Sequence, residues 1–200
     1  MFDKFIKPVL IIIAVSMFAW ILFWGIVNIS KKKYGRKITY KAELILFLFY
    51  IYTIAVMTLT VIPLPFARFE DLHRGGINLI PVINTVNDLK IAFKYTAYTF
   101  AEQTFQNLIG NIMLFIPLGI FLPVVSSYRY RSLVNVAAFA FICSVSIETI
   151  QFIERQFEIY RFVDIDDVIL NTLGAILGFV IINNLVLKND KRPGRGLRNW

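Results

Sequence analysis

Five stretches of about 20 residues, none containing Lys or Arg, dominate this chain; they lie at residues 8–29, 42–62, 106–125, 133–153 and 168–187. At a rise of about 1.5 Å per residue, each is long enough as a helix to cross ~30 Å of hydrocarbon. In lipid every backbone N–H and C=O must be satisfied within the segment, so a helix is the form such a run takes. Of the 200 residues, 58% are hydrophobic and 17% charged, whereas soluble domains carry roughly a quarter charged residues. The expected fold class is an all-α integral membrane protein with five transmembrane helices. The first stretch reads as a retained helix and not as a cleaved leader, because its apolar run is long and no A-x-A site follows. The densest basic cluster also lies after it. The lone Cys143 excludes an intramolecular disulfide and a cysteine-based metal site, and in its apolar run it reads as a small hydrophobe.

The 21 Lys and Arg residues sort by side. Six lie in residues 31–41, Arg129 and Arg131 follow the third stretch, and five lie in residues 188–200, making 13 on one side against eight on the other. Ten of the 13 acidic residues fall on the second side. The positive-inside rule makes the first side cytoplasmic. The amino terminus and the loop at 65–105 are then outside, and the carboxyl terminus is inside. The net charge of +8 therefore encodes topology, with the basic tail placed to touch anionic headgroups. A nucleic-acid partner is not expected, since the basic stretches are short, juxtamembrane and without interleaved stacking aromatics.

The outer loop is too long for a simple connector. Val82, Val86, Leu89 and Phe93 recur at helical spacing among Asn87, Asp88, Lys90 and Lys94, which predicts an interfacial or partly re-entrant amphipathic helix. Arg74-Gly75-Gly76 before it reads as a turn. His73 stands alone in this loop and is assigned no role.

Polar groups inside the spans are the most informative feature. Glu148 lies about five residues below the outer end of the fourth span, ~7–8 Å beneath the boundary. A carboxyl at that depth must face protein or water and is a functional candidate by default. Ser144, Glu148, Gln151 and Arg155 share one helix face by their i, i+4, i+7, i+11 spacing. Asn107 and Asn111 are four apart in the outer half of the third span, as are Asp167 and Asn171 at the outer end of the fifth, after Asp164 and Asp166. Three helices thus bring amides and carboxylates to one depth, while their inner halves are almost wholly apolar.

Each group also has a plainer reading. The asparagines serve as hydrogen-bonding glue between helices, and the aspartates cap the fifth helix, where the macrodipole favours negative charge. Gly174-x-x-x-Gly178 is a small-residue packing stripe, and Pro117 marks a kink or break. Glu148 needs a partner, for which Gln151, Arg155 and Arg161 are the candidates. As chemistry, Glu148 with Asp164 and Asp167 would form an acid/base or acidic centre. Asp164, Asp166 and Asp167 offer oxygen ligands for a hard divalent cation, and Arg155 and Arg161 suit a phosphate or carboxylate. There is no Gly-x-Ser-x-Gly elbow, Cys–His pair, His-Glu-x-x-His motif or phosphate-binding glycine loop.

The segments NLIP at 78–81, NLIGNIMLFIPLG at 107–119, ETIQ at 148–151 and RFVDIDDVILNTLG at 161–174 resemble, in that order, the VanZ-like family of bacterial membrane proteins. The resemblance covers residues 43–187. It implies a four-helix unit with its special residues toward the outer face, preceded here by an extra helix and cytoplasmic basic loop at 1–42 and followed by a basic tail at 188–200. The family is named for a protein giving low-level teicoplanin resistance, so the resemblance implies a multi-pass protein of the bacterial, Gram-positive cell envelope.

Three functions follow from these residues. The leading one is a cell-envelope protein whose outer-leaflet polar pocket binds membrane lipid, a cell-wall precursor lipid or a lipoglycopeptide, and so contributes to glycopeptide resistance. In it Asn78, Asn107, Asn111, Gln151, Arg155, Arg161 and Asn171 hold the ligand around Glu148, Asp164 and Asp167. The second is an integral hydrolase or transferase acting on a cell-wall lipid, with Glu148 as acid/base. The third is a structural or interaction subunit of an envelope complex. A polar path across the membrane would require an oligomer, because the inner half of each helix lacks one.

Overall fold

The computed structural model describes residues 14–26, 29, 40–61, 76–83, 85–87, 89–90, 98–126, 128–157 and 161–185. The basic tail, most of the basic loop, His73, Phe93 and the Arg74-Gly75 part of the expected turn lie outside them. Among the described residues five apolar helices follow one another. The first, α1 (Ala14–Ile26), is the described part of the first apolar stretch. After it come α2 (Tyr40–Thr60), α3 (Tyr98–Val125), α4 (Leu133–Gln156) and α5 (Ile165–Leu185). These four are long and apolar enough to cross a membrane, which makes the chain an all-α integral membrane protein.

Helix α3 begins at Tyr98, well before the expected start at 106, and α4 runs on through Glu154 and Arg155 to Gln156. Hydropathy marks only the lipid-facing part of a helix, and backbone hydrogen bonding carries these two beyond it. Helix α3 also continues through Pro117 and Pro123, so of the kink or break expected at Pro117 the break does not occur. A proline removes one hydrogen bond from the ladder, and neighbouring helices hold the rest in register.

The tightest packing is between α3 and α5, and glycines permit it. A Cβ on Gly174 would lie 2.1 Å from the Ile112 carbonyl oxygen, and one on Gly178 would lie 2.0 Å from that of Ile116. From the other helix, a Cβ on Gly119 would meet the Ala175 oxygen at 2.0 Å. Only hydrogen-bearing Cα atoms fit between backbones this close. Around the crossing, Phe115, Leu118 and Leu122 of α3 pack with Val136, Ala140 and Ile147 of α4 and with Ala175 and Phe179 of α5.

Helix α2 is peripheral, with Ala42 and Val56 as its buried residues. The Tyr52 hydroxyl donates to the Leu114 carbonyl of α3 at 2.9 Å, and Gln151 of α4 donates to the Thr60 carbonyl at 2.9 Å. Helix α1 leans on α2 in turn. The Trp20 ring lies 5.2 Å from Phe47 and 4.8 Å from Tyr50, centroid to centroid, and the Tyr50 hydroxyl donates to the Ser16 carbonyl. Hydroxyls elsewhere on the spans turn inward on their own helix: Thr53, Thr58, Thr60, Ser146, Thr149 and Thr172 each donate to the carbonyl four residues earlier. That keeps their polarity out of lipid.

Two short strands close one end of the bundle. β1 (Ile77–Asn78), from the loop before α3, pairs in parallel with β2 (Val163–Asp164), immediately before α5. The registers are Ile77 to Val163 and Asn78 to Asp164.

Candidate functional site

The chain order of β2 and α5 puts three aspartates at one helix start, and each has a different task. Asp164 accepts the Asp166 N–H at 2.9 Å, the N-cap bond that satisfies an otherwise orphaned donor. It also accepts the Asn78 side-chain amide at 2.9 Å, and Asn78 Oδ1 takes the Ile80 N–H at 3.2 Å. Asp166, buried, accepts the Val82 N–H at 2.7 Å and the Thr85 hydroxyl. Val82 has a φ of 68°, a left-handed conformation costly for a β-branched residue, and Asp166 anchors its amide there. The Val82 carbonyl then accepts the Val86 N–H at 2.9 Å, opening a helical turn that begins at Ile83. The expected loop helix is therefore present over its described residues, but Val82 precedes it.

On the other flank, one Arg155 nitrogen donates to the Gly76 carbonyl at 3.1 Å and to the Arg161 carbonyl at 2.6 Å. Loop residues 76–83 and Thr85 are thus strapped across the start of α5 by Asp164, Asp166 and Arg155.

Beneath the strap lie the remaining polar groups. Glu148, 8% exposed, accepts the Asp164 backbone N–H on Oε2 at 3.1 Å. Asn111 of α3 donates to Asp167 Oδ1 at 2.5 Å. One turn further into the bundle, Asn171 donates to Ser144 Oγ at 2.8 Å, with both residues buried. Asn171 Oδ1 is buried without a hydrogen-bond partner among the described residues. Asp167 lies within electrostatic range of Glu148, Asp164 and Asp166, as does Glu148 of Asp164.

Several expected partnerships are replaced by others. Gln151, Arg155 and Arg161 were the candidates to pair with Glu148, and none does. Gln151 holds the end of α2, Arg155 holds carbonyls, and Arg161 forms an ion pair with Glu154 at 2.8 Å. The Ser144–Glu148–Gln151–Arg155 stripe is one face, yet its members reach α5, the β2 backbone, α2 and the strap in turn. Asn107 is exposed and forms no side-chain hydrogen bond among the described residues, although it shares the helical register of Asn111. Asp164, Asp166 and Asp167 point to Asn78, to Val82 with Thr85, and to Asn111 respectively. Among the described residues no group of three His, Cys, Asp or Glu side chains is placed to hold a metal ion. Thr85 and Glu154 enter the site unanticipated. Thr85 meets Asp166 across 81 positions of sequence, a separation on which helical spacing is silent.

The VanZ/LLP1 family matches residues 49–187. Protein VanZ of Enterococcus faecium is 34% identical over 97 residues, which are 48% of this chain and 56% of that protein. The chain therefore spans about half the length of this curated relative. No solved structure matches the chain. The family match covers most of α2 and all of α3, α4 and α5, together with both strands and every residue of the strap and of the polar layer beneath it; the chain belongs to the VanZ/LLP1 family.

Proposed function

We propose that this membrane protein works in the bacterial cell envelope with its strapped end facing outward, where the polar layer under the strap binds an amphiphile. The ligand in this reading is a cell-wall precursor lipid or a lipoglycopeptide, and binding contributes to teicoplanin-type resistance. The observation that supports it is the state of Glu148 and Asp167. Glu148 is buried and Asp167 half-buried at the end of the bundle, and neither has a cationic partner among the described residues. Groups so placed are costly to keep for structure alone. Asp164, Asp166 and Arg155, by contrast, have structural work as cap and strap, so the acidic centre contracts to Glu148 and Asp167 with Asn111 and Asn171. Arg161 has one buried nitrogen without a partner among the described residues, a donor suited to an anionic oxygen of the ligand. Outward orientation rests on the charge count, 13 basic residues on the opposite side against eight.

The test is a teicoplanin susceptibility assay in a sensitive Gram-positive host expressing Glu148→Gln and Asp167→Asn at wild-type abundance. Both substitutions keep one acceptor oxygen for the bonds from Asp164 and Asn111 and replace the other oxygen with an uncharged NH2 group. Loss of protection in both supports the reading; full protection in both removes the site from the mechanism.

A further inference from the structure

We infer that the slot between α4 and α5 under the strap is a binding site for a primary ammonium group, so that the ligand enters it by its cationic end. This rests on the ligand-binding reading above and names the chemistry recognised. Apart from the unpartnered Arg161 nitrogen, which lies in the segment before β2, the amide donors at the slot are already engaged. The Asp164 N–H goes to Glu148 Oε2, the Asn111 amide to Asp167 Oδ1, and the Asn171 amide to Ser144. Acceptors are left over. No hydrogen bond among the described residues reaches Glu148 Oε1 or Asp167 Oδ2.

The independent sign is Asn171. Asn171 is 2% exposed, and its Oδ1 is buried without a partner among the described residues. Asn171 lies one turn below Asp167 on α5, and its amide contacts Ser144, one turn below Glu148 on α4. Its oxygen is therefore enclosed at the α4–α5 interface, one turn below the level of the two carboxyl groups. A buried acceptor lacking a donor is rare in native structures and calls for an explanation. An ammonium supplies three N–H donors and one positive charge, which matches three unengaged oxygens, two of them on acidic groups. An anion would meet a surplus of acceptors. A divalent metal ion would need a ligand cluster that the described residues do not form.

The experiment uses the full chain purified in dodecylmaltoside micelles, with binding read by microscale thermophoresis. Probes are dodecylammonium, its N-acetylated analogue, dodecyl phosphate, methylammonium and sodium chloride. Dodecylammonium should bind at least tenfold more tightly than the acetylated analogue and the phosphate, and Glu148→Gln and Asp167→Asn should each weaken it by about tenfold or more. Methylammonium competing with dodecylammonium would show that the ammonium alone is recognised; its failure to compete, with dodecylammonium bound, would assign the site to lipid-borne amines. Equal binding of the acetylated analogue overturns the inference, as does competition by sodium or binding unaffected by both substitutions. The acetylated probe requires no variant, so a folding defect cannot mask the answer. If resistance falls in the two variants while dodecylammonium fails to bind, the ammonium assignment is wrong and the site stands. If dodecylammonium binds and resistance is unchanged, the site exists and the resistance reading fails.

Discussion

Gly174→Ala should damage the site from below, without touching a polar residue. The new Cβ would sit 2.1 Å from the Ile112 carbonyl oxygen, whereas close C···O contacts settle near ~3.3 Å. The obstacle is backbone, so α3 and α5 must part locally by about 1 Å. Ile112 follows Asn111 in α3, and Gly174 lies one turn below Asn171, so the separation falls on the Asn111–Asp167 bond. Opening that 2.5 Å bond by a similar amount takes it to the outer limit of hydrogen bonding. Overpacking of this kind costs roughly 1–3 kcal/mol, partly offset by up to about 1 kcal/mol of improved helix propensity. Gly110→Ala is the internal control. A Cβ there meets nothing within 4 Å, so only the propensity gain of up to about 1 kcal/mol remains. Unfolding by SDS titration in mixed micelles should rank Gly110→Ala at or above wild type and Gly174→Ala below it. Equal stability of the two variants would refute the close approach of α3 and α5 as the feature that positions Asn111 against Asp167.

Other expectations concern the strap and the first helix. Asp166→Ala removes the acceptor for Val82 and Thr85, so amide exchange at residues 76–87 should speed up by tenfold or more while α3 to α5 stay protected, consistent with about 1.5–3 kcal/mol for bonds to a charged group. Val82→Gly relieves the left-handed φ of 68° and should stabilise the strap by about 1 kcal/mol, read as slower exchange of the same amides. Trp20→Ala takes away the ring that meets Phe47 and Tyr50. It should raise protease access to α1 while leaving ligand binding at the slot unchanged, because the contacts of α1 among the described residues are with α2.

What could be read from the sequence, and what could not, divides along physical lines. Lipid imposes a one-dimensional rule, so runs without Lys or Arg located α2 to α5, and helical spacing gave the shared face from Ser144 to Arg155. Depth along those helices singled out Glu148, Asn111, Asp167 and Asn171, and the structure gathers the residues of this group. The partners were not legible, because most are backbone groups brought in from far away. Glu148 takes a backbone N–H of Asp164, Asp166 takes that of Val82 across 84 positions, and Arg155 reaches the Gly76 carbonyl across 79. No side-chain pattern reports a backbone donor or acceptor. Asn107 misled for a related reason: spacing gives a face of α3 but not how far along that face a neighbouring helix extends.

The outward orientation of the strapped end is the claim on which the functional reading depends, and one labelling experiment tests it. The chain has a single cysteine, so Cys143→Ala gives a clean background. Leu79→Cys, at a position 71% exposed within the strap, and Tyr40→Cys, at a position 80% exposed at the far end of α2, are then probed with a membrane-impermeant maleimide in intact cells. Labelling of the Leu79→Cys protein in intact cells, with the Tyr40→Cys protein labelled only after permeabilisation, is the expected result. The reverse pattern would put Glu148 and Asp167 at the cytoplasmic face and contradict binding of an outer-leaflet ligand there.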